Sequence, residues 1–471
     1  MNHNFSGLSS EVCLDADKIE IELSYRWHQI CKQHLPVESE NLFWRFNRKS
    51  KPQEPLQGWK LHISATVLEA CDLFERVAPF LVAEDVQFKA PKSLDALSDI
   101  NCGLYHGYHQ VGKFITVYPS DEKLTVRLAE KLHELTKEFF PINVPFDEQY
   151  SSESSVFYRY GAFSTIEAID EEGNTFLAIQ DPQGKLVPDN RQQSIPEWIP
   201  NPFPNNEKSI AKTFDGTPLE KTYKVFNAIT QRGKGGTYLA FNFSQSTPRL
   251  CIVKEGRRNG ELSWNGQDGY FLVQNEFQVL KILSEKYDGV PQIFESFEVH
   301  GNFYFSMEYV AGESLNDILK PRRRRFSIFQ VLNFALEIAE IIENIHQLGW
   351  VWNDCKPANL IVTPAGNLRP IDFEGAYPIG ENEPFDWKSK GFSTTSSGRS
   401  SDIYALGAVI YFLLTGRLYE KENIIEIKKL RRNVSLKLVK LIEKLLSDLD
   451  SNIAEIKSDL QEILDDSVSK V

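Results

Sequence analysis

The chain has 471 residues, is 41% apolar and 25% charged, and carries a formal net charge of −13. That length allows two or three domains, each with its own core, and the composition is that of a soluble globular protein. The acidic balance excludes non-specific nucleic-acid binding.

No run approaches the roughly 18 consecutive apolar residues of a membrane helix, so no membrane span is expected. The N-terminus, MNHNFSGLSSEVCLDADKIE, lacks the apolar core of a signal peptide. The six cysteines, Cys13, Cys31, Cys71, Cys102, Cys251 and Cys355, form no C-x-x-C pair. Their scatter argues against a zinc site or a disulfide framework and fits a reducing cytoplasm, the expected location.

In chain order, residues 1–45 read as mixed and helical, with aromatic anchors in YRWHQI and NLFWRF. Over 58–165 the strand-like runs WKLHIS, VQFKA, KFITVY and VFYRYGAF alternate with the helical TVLEACDLFERVAPFLV and EKLTVRLAEKLHELTKEFF. Residues 181–222 are proline-rich without periodicity and read as a linker. Residues 223–310 return to short strands around one helix, and 311 to about 465 is mainly helical. The expected division is a first domain over 1–180, the linker over 181–222, a small β-rich lobe over 223–310 and a helical lobe over 311–471.

The segment WNDCKPANLIVTPAGNLRPIDFE contains Asp354, Lys356, Asn359 and Asp372. Phosphoryl transfer from ATP needs a carboxylate to orient the attacking hydroxyl, a cation on the moving group and oxygen ligands for magnesium. The spacing, with an apolar strand and Asp-Phe behind it, points to a protein-kinase catalytic loop. Upstream, Gly233, Gly235 and Gly236 sit in ITQRGKGGTYLAF, where missing side chains would let a backbone close over phosphates. That cluster alone reads as a plain hairpin. Lys254 in RLCIVKEG and Glu276 in GYFLVQNEFQVLKIL supply the lysine–glutamate pair that reverses this reading. Met307, Glu308 and Val310 mark a hinge with Met307 at its mouth, and Asp402 in SDIYALGAVIYFLLTG is expected to cap a buried helix and brace the loop.

The first domain shows a second pattern. In GWKLHISAT, Leu61 and Ile63 point one way while Lys60, His62 and Ser64 point the other. Lys89 in VQFKA, Lys113 in GKFITVYP and Arg159 in VFYRYGAF repeat the theme of cations inside core-like strands. Such cations need an anionic partner, and a phosphate suits them. The chemistry that fits is β-elimination from a phosphorylated side chain, with a lysine of lowered pKa as base and a histidine as acid. For Asp147, orienting a cation and capping a turn are equal readings. His106 and His109 read as loop residues, and PRRRRF at 321–326 as a solvated helix start ahead of a surface for an acidic peptide.

The motifs over about 225–465 resemble the protein-kinase superfamily. The resemblance implies Asp354 as catalytic base, Lys356 on the transferring group, Asn359 and Asp372 on magnesium, and Lys254 on ATP. Three positions depart from it. His-Arg-Asp reads Trp352-Asn353-Asp354, which makes control by loop phosphorylation doubtful. Asp-Phe-Gly reads Asp372-Phe373-Glu374, which should restrict a conformational flip. Ala-Pro-Glu is missing, and GFSTTSSGRSS stands at 391–401.

WKLHISA, FKAP, GKFITVYP, NVPFDEQY and YRYGAF, in that order, resemble the lyase domain of class III and class IV lanthipeptide synthetases. More distantly they resemble the phosphothreonine lyases of bacterial effectors. The resemblance implies an α+β multidomain chain, with an α/β phosphothreonine-lyase-like domain before a bilobal kinase-like fold. It implies His62 as general acid, Lys89 as general base, and Lys60, Lys113, Arg159 and Tyr118 around the phosphosubstrate.

The expected function is ATP- and magnesium-dependent phosphorylation of Ser/Thr in a precursor peptide, followed by elimination to dehydroalanine or dehydrobutyrine. The family's cyclase domain is expected to be absent, with a separate cyclase as a possible partner. Two alternatives stand beside this: a Ser/Thr kinase whose first domain only binds phosphopeptide or regulates, and a pseudoenzyme scaffold for leader peptides.

Overall fold

The computed structural model describes residues 16–40, 42–203, 214–320, 326–381, 383, 389–420, 426–447 and 452–468. The polar segment 1–15 and the arginine run 322–325 lie outside the described residues.

The first domain runs α1 (Ala16–His34), β1 (Val37–Glu38), β2 (Trp44–Phe46), β3 (Gln57–Ile63), α2 (Ala70–Ala83), β4 (Gln87–Pro91), α3 (Leu94–Cys102), β5 (Ile115–Tyr118), α4 (Glu122–Thr136), β6 (Glu148–Gln149) and β7 (Val156–Ala162). The strands form one sheet in the order β1-β2-β4-β5-β3-β7-β6, with every pairing antiparallel.

Local chemistry sets the helix ends. Asp121 caps α4 by accepting from Leu124 N, and Ser93 caps α3 by accepting from Ala96 N. Helix α3 stops at Gly103, whose φ of 77° is left-handed and favours glycine.

Strand alternation sorts the sheet into two faces. Leu61, Ile63, Phe88, Ile115, Val117 and Tyr158 share one apolar core with Leu73, Phe74 and Val77 of α2 and Leu128 and Leu132 of α4. The cross-strand pairs Lys60–Arg159, His62–Thr116 and Lys89–Thr116 place the cations together on the opposite face.

A three-stranded sheet follows, β8 (Glu167–Ile169), β9 (Thr175–Gln180) and β10 (Leu186–Pro188). Here the structure departs from the linker expected from 181. Residues 186–203 lie on the first domain. Tyr160 N donates to Ser194 O at 2.8 Å. Arg159 pairs with Asp189 at 2.8 Å, and Phe203 packs 4.5 Å from the Tyr158 ring. The segment needs no periodicity of its own, because sparse single anchors hold it.

After α5 (Pro218–Lys221) come β11 (Tyr223–Arg232), β12 (Gly235–Asn242), β13 (Arg249–Gly256), α6 (Gly269–Ser284), β14 (Ile293–Val299) and β15 (Asn302–Glu308), in the antiparallel order β11-β12-β13-β15-β14. The helical part holds α7 (Leu315–Leu319), α8 (Ile328–Gln347), α9 (Arg399–Thr415), α10 (Glu426–Leu430), α11 (Leu436–Ser447) and α12 (Ile453–Val468). One core joins both lobes, with Ile252, Val273 and Phe305 on the sheet side and Ile338, Trp352, Phe373 and Leu406 on the helical side. Among the described residues no helix is long and apolar enough to cross a membrane.

Phe203 tests the new boundary. Phe203→Ala should destabilise the chain by about 3 kcal/mol in urea unfolding, as for a buried aromatic. A shift under about 0.5 kcal/mol, as for an exposed position, would return the segment to linker status.

Candidate active site

The cation-bearing face of the first sheet is buried: Lys60, His62, Lys113 and Arg159 are each under a tenth exposed. Asp147 settles between its two readings by lying beside His62 Nδ1 and 3.2 Å from Lys113 Nζ. Lys89 meets no carboxylate among the described residues; its ammonium sits 4.2 Å from the centre of the Trp44 ring. Arg159 gives Nη2 to Asp189 at 2.8 Å and to Asn190 O at 3.2 Å. Its Nε and Nη1 are buried with no hydrogen-bond partner among the described residues.

This crowding shifts the titrations. Burial, then Arg191 and Lys113, bring the Lys89 ammonium down to about 7. Burial and Arg159 push Lys60 well below the usual lysine range. For Asp147, burial works upward, but Lys113 and His62 hold the carboxyl down to about 2. Burial outweighs Asp147 at His62 and lowers it to about 3. Burial therefore favours the neutral imidazole of His62.

Tyr118 lies on the same face, paired across the sheet with Gln87. Its ring meets Phe163 edge-on at 5.2 Å, and burial raises its hydroxyl. His109 forms part of the covering loop, and its pKa is lowered by burial and Lys113. His106 lies against Phe43, 4.3 Å between ring centres.

Sequence reasoning missed Arg191. It stands 3.8 Å from Asp189, and its pKa is lowered first by burial and then by Arg159. Among the described residues, the carboxylates paired with members of the Lys60, Lys89, Lys113, Arg159 and Arg191 cluster are those of Asp147 and Asp189. Cations outnumber carboxylates there by five to two.

The second constellation has the opposite balance. Lys254 Nζ meets Glu276 at 2.6 Å, Asp372 at 3.3 Å and Glu374 at 3.8 Å. Burial works against the Lys254 charge, and Asp372, Glu276 and Glu374 more than offset it, so its pKa is raised. Burial also works against Asp372, yet Lys254, Lys234 and Lys356 hold its carboxyl well below the usual range. Asp354 is raised by burial, while Lys356 sits 2.7 Å away. Asn359 Nδ2 donates to Asp354 Oδ2 at 2.8 Å and to Asp354 O at 3.0 Å.

Asp402 braces the loop as expected, but not as a cap. Gly398 starts α9, and Asp402 lies inside the first turn. Its carboxylate accepts from Trp352 N at 2.9 Å and Asn353 N at 2.7 Å, and meets His346 Nε2 at 2.9 Å.

The altered motif residues have structural work. Asn353 adopts φ 63°, a left-handed conformation that asparagine tolerates, and donates to Glu383 at 2.8 Å. Asp372, not Glu374, carries the positive φ of the second motif, at 69°. Trp352 stacks on Phe373 at 5.6 Å and donates Nε1 to Asp372 O at 2.9 Å.

Gly235 and Gly236 begin β12, with Gly233 in the turn before it. The tip residue Lys234 pairs with Glu374. Met307, the residue before the expected hinge, is buried in the shared core. Glu308 pairs with Arg369 at 3.0 Å, and Val310 is half-buried beyond the strand. Ser389 was also missed: its hydroxyl lies 2.9 Å from Asp354 Oδ1 and 3.2 Å from Lys356 Nζ.

Trp352 provides a test. Trp352→His restores the common kinase residue, yet it should cost about 2–3 kcal/mol in unfolding, because it removes most of a buried indole. A neutral effect would show that the tryptophan is dispensable to the Phe373 contact.

Residues 31–213 match the family described as RamC, N-terminal domain, and residues 230–470 match the protein kinase domain family. The probable SapB synthase of Streptomyces coelicolor is 28% identical over 396 residues, covering 80% of this chain and 42% of that protein. Serine/threonine-protein kinase C of Synechocystis is 28% identical over 222 residues, covering 42% of this chain and 40% of the relative. Serine/threonine-protein kinase PknA of Nostoc is 29% identical over 221 residues, covering 42% and 38%. The chain thus spans less than half the length of these curated relatives. It belongs to the protein kinase family and carries the kinase domain behind a RamC N-terminal domain.

Proposed function

We propose that the protein dehydrates Ser and Thr of a precursor peptide in two steps, phosphorylating the hydroxyl in the kinase domain and eliminating the phosphate in the first domain. The carrying observation is the pair of opposed charge balances: one buried site rich in cations, the other rich in carboxylates.

In the kinase domain, Asp354 would accept the hydrogen bond of the substrate hydroxyl and orient it, with Lys356 beside it to balance charge on the moving group. A protein kinase domain implies ATP and magnesium, and the residues present fit them. Carboxylate oxygens of Glu276, Asp372 and Glu374 lie within 4.8 Å of one another, an oxygen-rich set that suits a hard cation. Asp372 and Asn359 would hold magnesium, and ATP supplies the phosphoryl group. Lys254, fixed by Glu276, would contact the α- and β-phosphates under the glycine turn of Gly233, Gly235 and Gly236, with the backbone from Met307 through Glu308 to Val310 beside the base.

In the first domain, the neutral Lys89 amine would take the α-proton. The Cβ–O bond then breaks as its electrons leave with the phosphate, and the former C–H pair forms the new double bond. Lys60, Lys113, Arg159 and Arg191 would hold the phosphate, Tyr118 would line the pocket, and His62 would give a proton to the leaving oxygen. An incoming dianion raises the His62 pKa, which readies the acid only when substrate is present.

A second reading is a Ser/Thr kinase whose first domain binds phosphopeptide without eliminating. The burial of His62, which favours its neutral imidazole, supports this reading.

Intact-mass measurement on a Ser/Thr-rich precursor peptide with ATP and magnesium separates the readings. Loss of one water per modified residue supports dehydration, whereas gain of one phosphate supports the second reading. Lys89→Ala should slow elimination at least about 10³-fold and let phosphopeptide accumulate, while Asp354→Ala should abolish both products. Normal dehydration by Lys89→Ala would remove Lys89 as the base.

The pH profile carries a sign. Lys89 acts only when neutral, so kcat/KM for elimination, which reports the free enzyme, should rise between about pH 6 and 8, with a midpoint near 7, and fall away as Lys89 protonates below it. A flat profile over that range would exclude an amine of this pKa as the base.

A further inference from the structure

The glycine turn of the kinase domain is gripped by the first domain. Gly233 N donates to Cys102 O at 2.9 Å, at the end of α3, and a Cβ on Gly233 would lie 1.7 Å from Asn101 O. Arg232 reaches Cys102 Sγ at 3.4 Å. Arg257 N donates to Lys234 O at 2.8 Å, and the Arg257 guanidinium lies 5.3 Å from the centre of the Tyr108 ring. On the kinase side, a Cβ on Gly260 would lie 2.4 Å from Gly233 O, and one on Gly269 would lie 1.9 Å from Lys234 O. A turn packed this closely cannot shift alone, because close-packed neighbours must move with it.

Asn101 carries the contact into the first site. Its buried side chain donates to Ala65 O at 3.1 Å, two residues beyond the end of the strand that bears His62. Its Oδ1 accepts from Gly112 N at 3.3 Å, next to Lys113. One residue therefore touches the nucleotide-covering turn through its main chain and both arms of the cationic face through its side chain.

The turn has a reason to adopt two positions. Its tip ammonium, Lys234, pairs with Glu374. A phosphate group bound beside Lys254 would compete with Glu374 for that ammonium.

We propose that Asn101 is a positioning residue shared by the two sites, through which nucleotide binding changes how tightly the first site holds a phosphorylated side chain. Nucleotide draws Lys234 from Glu374, the turn presses on or releases α3, and Asn101 passes the shift to Gly112, Lys113 and the end of β3. This rests on the reading of the cationic face as a phosphoserine/phosphothreonine site. Thermodynamic linkage makes the effect reciprocal, so phosphopeptide must change nucleotide affinity by the same factor.

The test uses the full chain carrying Lys89→Ala, which keeps the phosphopeptide from being consumed. A fluorescent ADP analogue with magnesium is titrated with and without a saturating synthetic phosphoserine peptide, and the converse titration is run. The expected result is a change of about fivefold or more in each affinity, equal in both directions. Adding Asn101→Ala, or separately Lys234→Met, should erase the change while both ligands still bind. Lys234→Met leaves Asn101 in place, so the answer does not depend on one variant folding. Two ligands that bind with indifference to each other would overturn the proposal, as would coupling that survives both substitutions. A peptide that fails to bind while the ADP analogue binds would instead overturn the phosphosite reading, and the shared joint with it.

Discussion

Buried charge without a matching partner is the constraint on which the first domain depends. Strand register sets Lys60, Lys89 and Arg159 on one sheet face, and the segments before β5 and after β10 add Lys113 and Arg191, against Asp147 and Asp189. Uncompensated burial of this kind costs several kcal/mol per charge unless a group shifts its pKa or gains a counter-ion. Both responses are visible. Lys60, Lys89 and Lys113 have lowered pKa values, and Arg159 keeps two buried N–H groups aimed at no protein acceptor. The electrostatic strain that burdens the resting domain is the same quantity that would bind a dianion and deprotonate a lysine. Placing that strain on a sheet backed by α2 and α4 keeps the cations from spreading apart.

The kinase domain solves the inverse problem. Glu276, Asp372, Glu374 and Asp354 converge around Lys254, Lys234 and Lys356, so carboxylates outnumber ammonium groups there. The unusual motif residues support this arrangement. Trp352 ties the Phe373 ring and the Asp372 carbonyl to the core, and Glu374 adds a carboxylate where glycine is common. Their effect is to brace one arrangement of the site. Asp402 completes the bracing from α9, a helix whose burial on nearly all sides fixes it in the lobe.

Much of this was legible in the sequence because the informative signals are local. The Asp354–Asn359 loop, Asp372 and the Lys60–His62 alternation each lie within a few residues, where spacing dictates geometry. Lys254 and Glu276 were readable because a strand and a helix of ordinary length separate them. What was not legible comes from contacts between distant segments. Arg191 and Asp189 sit in a proline-rich run whose pattern reads as linker, and only the fold brings them to Arg159. Lys234 meets Glu374 across 140 positions, and Ser389 returns to Asp354 from the segment after the magnesium motif. The sheet order β1-β2-β4-β5-β3-β7-β6 likewise depends on crossovers that no local pattern encodes.

The central claim is that the cationic face eliminates phosphate rather than merely holding it. The most direct measurement omits nucleotide altogether: the full chain is incubated with a synthetic phosphoserine peptide, and inorganic phosphate and peptide mass are followed together. The account predicts phosphate release matched by conversion of phosphoserine to dehydroalanine, with both lost in Lys89→Ala. A phosphopeptide that binds yet stays intact would contradict it.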